Sequence, residues 1–407
     1  MKGSDIAVTG IGLVTPAGVG TDATWSTVCS GTPTAAVDPS LGDVPVPISC
    51  RVPPFDVQAV LGPQVWRMDR FTHLALTAAR QAVDSAGLDP ATWDGARVAV
   101  VVGVGYDSKD LVIPAVRKLI DGAYEKLSPL LIPRTTANAA AAEICIALGA
   151  HGPSMAVTTA CASGATALGT ARDLLLAGRC DIALAGGAEA PCHPLPSACF
   201  AQMGALSTRL HDPEGASRPF DVDRDGFVLA EGAGLLVLER AADARARGAR
   251  PRAHFSGYGT STDGYHYAAP HPEGVGIEQA FTAALADAGL TTSDIGHVNA
   301  HGTGTPLNDR IEGAALNRVF DGHPPPVTST KGVTGHPLGA AGAIEAALAA
   351  LTLDHQTVPP TANLQHLDPD ISLDVVAKAP RPHRMDAVAS NSCGFGGHNT
   401  VLVLQRA

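Results

Sequence analysis

The chain has 407 residues, of which 16% are charged, and a formal net charge of −11. That length can bury a large core in about two domains without disulfide staples. The acidic balance, with no basic stripe interleaved with aromatics, excludes nucleic acid as a partner.

From its start, Met1 to Val8, the chain passes straight into a strand-like run, with no charged-then-apolar leader and no stretch long enough to span a bilayer. A cytoplasmic protein without membrane contact is expected. Cysteines at 29, 50, 145, 161, 180, 192, 199 and 393 make no C-x-x-C pair and no Cys/His zinc spacing. They are expected as reduced thiols, with no metal site.

Strand-like runs at 5–9, 98–102, 155–158, 182–185 and 235–238 alternate with helical stretches at 71–86, 137–148 and 165–176. That alternation predicts an α/β fold with a mostly parallel sheet covered by helices. After Arg252 the order restarts: Thr77 to Leu88 is echoed by Thr282 to Leu290, each a helix closed by glycine. The echo divides the chain into halves at 1–251 and 252–407. A second echo pairs the strand–Cys161–helix unit with residues 327–330 followed by the run from Gly335 to Gly342. Each half thus carries a reactive side chain at a strand-to-helix turn, and two such repeats packed together can bring those turns to one cleft.

Two patterns fail on spacing. The run from Asp221 to Gly226 opens like a calcium loop, but its twelfth position is Gly232 and the acid falls one place early, at Glu231. Gly10-Ile11-Gly12 follows a strand, but the third glycine of a dinucleotide site is Thr15.

Four segments carry chemistry. Cys161 lies where an apolar strand gives way to a Gly/Ala-rich helix, so helix N–H groups and the dipole are expected to favour thiolate. His301 ends a strand on the small-residue turn Gly302-Thr303-Gly304-Thr305 and suits a general base or hydrogen-bond donor. Lys331 supplies a positive charge near His336, with Glu345 in the following helix to hold a partner in place. Asn391-Ser392-Cys393-Gly394-Phe395-Gly396-Gly397 offers backbone N–H groups to a developing oxyanion.

In this order the segments resemble those of the β-ketoacyl-acyl carrier protein synthases, the condensing enzymes of type II fatty acid and polyketide systems, and most resemble the KAS II-like members. Leu206-Ser207-Thr208-Arg209 and the runs from Ser217 to Asp221 and from Asp225 to Gly232 fit the same family. The resemblance implies a thiolase-like fold of two duplicated βαβαβ-type halves in a layered αβαβα arrangement. It further implies that Cys161 takes an acyl group as a thioester, and that His301 and His336 serve the decarboxylation of malonyl-acyl carrier protein as neutral Nε2–H donors. The N–H groups of Cys161 and Phe395 would form the oxyanion hole. By the same likeness Lys331 supports the electrostatics, Glu345 orients the site, Thr303 and Thr305 bind the phosphopantetheine arm, and Phe395, beside Gly396, is a gate. No cofactor is implied beyond the phosphopantetheine of the carrier.

Tyr106 stands where relatives carry a smaller residue lining the acyl tunnel, and Cys393 replaces a common phenylalanine. Of the carrier-docking positions, only Arg67 and Lys126 are basic. Leu131 is expected to reach a neighbouring subunit's tunnel, in a homodimer or in a heterodimer with a chain-length-factor-like subunit. These departures favour polyketide or polyene assembly over housekeeping fatty acid elongation. A biosynthetic thiolase and a non-catalytic chain-length-factor subunit are the rivals. The His301-Gly302-Thr303-Gly304-Thr305 turn argues against the first, and the retained Cys161 against the second.

Overall fold

A computed structural model describes residues 6–106 and 110–407. Along the main path of the large sheet, the strands of the first half are β1 (Ile6–Thr15), β2 (Val98–Gly103), β3 (Ser154–Val157), β4 (Ile182–Glu189) and β5 (Gly232–Arg240). In the second they are β6 (Ala253–Thr262), β7 (His297–Asn299), β8 (Val327–Thr328), β9 (Ala387–Gly394) and β10 (His398–Gln405). Their order across the sheet is β8-β7-β9-β10-β6-β1-β5-β4-β2-β3. Numbered within each half, both halves read 3-2-4-5-1, and they meet edge to edge where β1 pairs antiparallel with β6. Even the irregularities match: the register slips between Val8 and Gly10 in β1, and between Phe255 and Gly257 in β6.

The expectation of a mostly parallel sheet needs correction at the pairing level. β2 pairs parallel with β3 and β4, as β7 does with β8 and β9. β5 and β10, however, run against both of their neighbours. Four strands of each half point one way, but the reversed fifth strand is inserted beside the first, so antiparallel ladders occupy the middle of the sheet.

The helices that build the layers on its faces are α1 (Arg70–Ser85), α2 (Ala139–Leu148), α3 (Ser163–Leu176), α4 (Val275–Ala288), α5 (Pro306–Val319) and α6 (Ala341–His355). One core cluster joins α1 and α2 to a face of the first half, and another joins α4 and α5 to a face of the second. The central cluster holds α3 and α6 between the remaining faces, which makes the layers α, β, α, β, α. Residues Ala341 to Leu353 of α6 are all buried, so the helix has no polar face.

Close approach explains several glycines. A Cβ at Gly12 would stand 1.9 Å from the Ala78 carbonyl oxygen of α1, and one at Gly259 would stand 2.2 Å from the Ala280 carbonyl oxygen of α4. The Gly10-Ile11-Gly12 run that lacks a nucleotide function is therefore a packing device, used again in the second half. The false calcium loop is also accounted for: Asp221 spends its carboxylate on Arg218 and on the N–H groups of Asp223, Gln365 and His366.

Replacing Gly12 by valine is expected to lower stability by about 2 kcal/mol or more, because backbone would have to move. Gly259→Val should cost a similar amount. Urea denaturation of both variants measures it, and an unchanged midpoint would contradict the close packing.

Candidate active site

The two strand-to-helix turns do converge. A Cβ added at Gly164 of α3 would lie 2.9 Å from the Ala343 nitrogen of α6, and one at Gly342 would lie 2.9 Å from the Ala165 nitrogen of α3. The helices thus cross reciprocally through their smallest residues. Each preceding turn is strained at the equivalent place: Ala160 has φ of 49° and Leu338 has φ of 42°, both left-handed for residues that rarely adopt it. The first turn presents Cys161 and the second His336. Both line one cavity of about 370 Å³, together with His301, Thr303, Cys393 and Phe395.

Cys161 is held by its neighbours. Ser163 accepts the Thr159 N–H at 2.9 Å and donates to the Ala160 carbonyl at 2.6 Å. Gly394 presses on the turn, since a Cβ there would be 2.4 Å from the Thr159 oxygen. That contact brings the Phe395 N–H to the cysteine sulfur, which also accepts from its own backbone N–H. The expected bias towards thiolate is nevertheless reversed. Burial pushes the thiol up to about 12, against the smaller downward pulls of the Lys331 charge and the two N–H groups. Cys161 is only 7% exposed and packs in an apolar cluster with Phe227 and Leu338, where desolvation of an anion outweighs the pull of Lys331 and the two N–H groups. The nucleophile rests as a thiol.

Lys331, fully buried, donates to the His301 carbonyl oxygen at 2.6 Å and is paired with Glu345. Burial raises the Glu345 carboxyl to about 7 even though Lys331 pulls it down. The rings of His301 and His336 meet edge to face with centroids 5.3 Å apart, and Phe227 packs edge-on against His336 at 5.2 Å. Both imidazoles are driven well below the usual histidine range, first by burial and then by the charge on Lys331. Two neutral imidazoles therefore face one cavity.

Three buried carboxylates escaped the sequence reading. Glu312 of α5 accepts the N–H groups of His301 and Gly302 at 2.7 and 2.8 Å, and also binds Asn391 at 2.7 Å. Asp309 accepts from Phe220 at 2.8 Å and from Gly304 at 3.2 Å. Their spacing on one helix face, just after a Gly/Thr turn, was the available signal. Glu189, at the end of β4, accepts the N–H groups of Gly105, Tyr106 and Gly339.

The other expected residues separate into near and far. Thr303 and Thr305 line the cavity and hydrogen-bond each other at 2.9 Å, and Thr305 also caps α5 through the Asn308 N–H. Cys393 accepts from the Asn391 amide at 3.6 Å, and Gly396, at φ of 85°, donates to the Tyr267 carbonyl. The Phe395 ring packs against Phe200 with centroids 6.2 Å apart. Tyr106 is half-buried in the cluster that contains Cys161 and is not among the residues lining the cavity. Leu131 opens the short helix Leu131–Thr135 and is half-buried beside the exposed Ile132. Arg67 is paired with Glu143 at 2.8 Å around a separate small pocket, and Lys126 is exposed on the surface. Neither lines the cavity that holds Cys161.

Protonation of buried histidines yields a stability test. His301 and His336, with His297 held at about 3 by burial, stay neutral in the fold, whereas the unfolded chain takes up their protons near pH 6.5. The stability these histidines contribute is therefore full above about pH 6.5 and is lost as the pH falls below it. Thermal midpoints between pH 7.5 and 5 should decline on the acid side, less steeply in His336→Asn. A His336→Asn profile as steep as that of the wild type would contradict a neutral His336.

Comparison with known proteins agrees with this geometry. Residues 3–244 match the N-terminal domain of β-ketoacyl synthases and residues 252–365 match the C-terminal domain. The chain is 39% identical over 408 residues to a 3-oxoacyl-[acyl-carrier-protein] synthase 2 of Synechocystis, covering 98% of each chain. It is 40% identical over 412 residues to a putative polyketide β-ketoacyl synthase 1 of Streptomyces cyaneus, covering 98% of this chain and 97% of that one. Among solved structures, the ishigamide ketosynthase/chain length factor superimposes with a TM-score of 0.92 at 35% identity, covering 99% of each chain. The duplicated 3-2-4-5-1 halves, the cysteine and paired histidines at their junction and these matches make the chain a member of the β-ketoacyl synthase family.

Proposed function

We propose that this enzyme catalyses decarboxylative condensation of an acyl-Cys161 thioester with malonyl-acyl carrier protein to give 3-oxoacyl-acyl carrier protein, in a type II polyketide or polyene pathway. The observation that carries the reading is the convergence of one thiol and two neutral imidazoles on a single cavity.

In the first step the Cys161 sulfur bonds to the carbonyl carbon of an acyl carrier thioester. The thiol proton leaves, and the phosphopantetheine sulfur departs as its own thiol. The Phe395 and Cys161 N–H groups, which already donate to the sulfur, are placed to donate to the negative charge that forms on the acyl oxygen. In the second step the malonyl C–CO₂ bond breaks, CO₂ leaves, and the electron pair passes to the thioester oxygen as an enolate. Protonated imidazoles would be too scarce at these depressed pKa values, so the ring N–H groups of neutral His301 and His336 supply the hydrogen bonds. The enolate carbon then attacks the acyl-cysteine carbonyl, and Cys161 leaves and regains a proton. Thr303 and Thr305 line the cavity where the arm would lie. Substrates arrive on phosphopantetheine, and the side chains supply the chemistry without a resident cofactor.

The Lys331 charge adds to burial in keeping both histidines neutral, and Glu345 holds it in place. The lean towards polyketide assembly rests on Tyr106 beside the nucleophile, on Cys393 in the cavity wall, and on a docking patch whose Arg67 already serves Glu143. The half-exposed edge strand β3, and the exposed Leu119, Ile120, Tyr124 and Ile132, suit a second ketosynthase-like chain, identical or of the chain-length-factor kind. Among the described residues no helix is long and apolar enough to cross a membrane, which accords with action on soluble carriers in the cytoplasm.

Cys161→Ala should abolish acyl-enzyme formation in intact-mass measurements. His336→Ala should still form acyl-enzyme but lose about 100- to 1,000-fold in CO₂ release from malonyl carrier protein, the usual cost of one oxyanion donor. Acylation of the Cys161 variant, or full decarboxylation by the His336 variant, would overturn these assignments. Native mass spectrometry after co-expression with neighbouring genes should show a species near twice the 41.4 kDa of one chain or a heterodimer; a persistent monomer would count against the docking surface.

A further inference from the structure

Glu189 is fully buried at the end of β4. A single oxygen, Oε2, accepts the N–H of Gly105 at 2.7 Å, of Tyr106 at 3.0 Å and of Gly339 at 3.1 Å. Three donors on one oxygen suit a carboxylate, whose charge strengthens each bond. The donors belong to different parts of the site: Gly105 and Tyr106 follow β2, whereas Gly339 belongs to the turn that presents His336 in the other half.

The packing around them is equally tight. A Cβ at Gly105 would stand 2.8 Å from the Ala160 carbonyl oxygen and 3.1 Å from the Gly339 Cα, and one at Gly339 would stand 2.2 Å from the Gly105 nitrogen. The segment carrying Tyr106, the turn carrying Cys161 and the turn carrying His336 therefore meet at this carboxylate. Tyr106 is half-buried in one apolar cluster with Cys161, Phe200 and Leu338, outside the cavity through which the other substrate groups reach the sulfur.

We propose that Glu189 is a positioning residue that clamps Tyr106 beside Cys161 and thereby limits the length of acyl chain the nucleophile accepts. The inference rests on the ketosynthase reading above and deepens it. An acyl group on Cys161 needs room away from the cavity that admits the carrier arm, and the phenol ring stands against the sulfur's apolar surroundings. Without the carboxylate, the N–H groups of Gly105 and Tyr106 lose their common acceptor, and the backbone that sets the position of the ring loses its anchor on β4.

The test compares butyryl, octanoyl and dodecanoyl carrier proteins as acyl donors to full-length enzyme, with the acyl-enzyme rate read by intact mass. Glu189→Ala should raise the dodecanoyl-to-butyryl rate ratio by about tenfold, the size of effect a few methylenes of pocket space produce. Glu189→Gln, which keeps one acceptor oxygen, should raise it less. In a Tyr106→Gly background, Glu189→Ala should add less than about twofold, because both changes act through the same ring. All chain lengths slowed alike, or effects of Glu189 and Tyr106 that multiply independently, would overturn the inference. If Glu189→Ala does not fold, the Gln variant decides by the same ratio. A wild-type enzyme acylated by none of the donors overturns the ketosynthase reading itself, and the inference with it.

Discussion

The contact on which the molecule depends is the crossing of α3 and α6 through Gly164, Ala165, Gly342 and Ala343. Any larger side chain there would hold the helices apart and carry the turns at their N-termini away from each other. Because those turns present Cys161 and His336, the crossing distance is also the geometry of the cavity. The surrounding sheet faces enforce it, since both helices are enclosed between the halves and α6 is buried all round from Ala341 to Leu353. Packing at native density leaves no slack for the site to be approximately formed.

Enclosure has an electrostatic consequence. Charges buried around the histidines are coupled: Lys331 with Glu345 and the His301 carbonyl, Glu312 and Asp309 with backbone N–H groups. In such surroundings burial, reinforced by one ammonium, keeps two imidazoles neutral, and burial keeps a thiol protonated. Neutral donors and a neutral nucleophile precursor suit a reaction in which negative charge appears first on an acyl oxygen and then on an enolate. Removing Lys331 would alter both histidines at once, so the four residues behave as one unit rather than as separable contributors.

Duplication was visible in the residues because it is written as pattern. The glycine-closed helices α1 and α4 are equivalent elements, each followed by a glycine in the left-handed region, Gly87 and Gly289. The echo between Cys161 and the run from Gly335 to Gly342 marks the third strand-to-helix turn of each half. The reversed fifth strand was not visible. Strand direction depends on which edge a segment joins, and the apolar runs of β5 and β10 are compatible with either orientation.

Local sequence determined the elements, the repeat and the chemical kinds of side chain: a thiol before a small-residue helix, a histidine on a Gly/Thr turn, a Lys and His before α6. The tertiary structure decided their charge states and their companions. Cys161 at a helix start reads as a thiolate until burial beside Phe227 and Leu338 is known, because desolvation is set by neighbours that are distant along the chain. Glu189 and Glu312 read as ordinary acids, and only folding reveals that each gathers backbone N–H groups from the turns around the nucleophile and the histidines. A sequence lists donors and acceptors, but pairing is a property of distance, and distance exists only after the two halves have closed on α3 and α6.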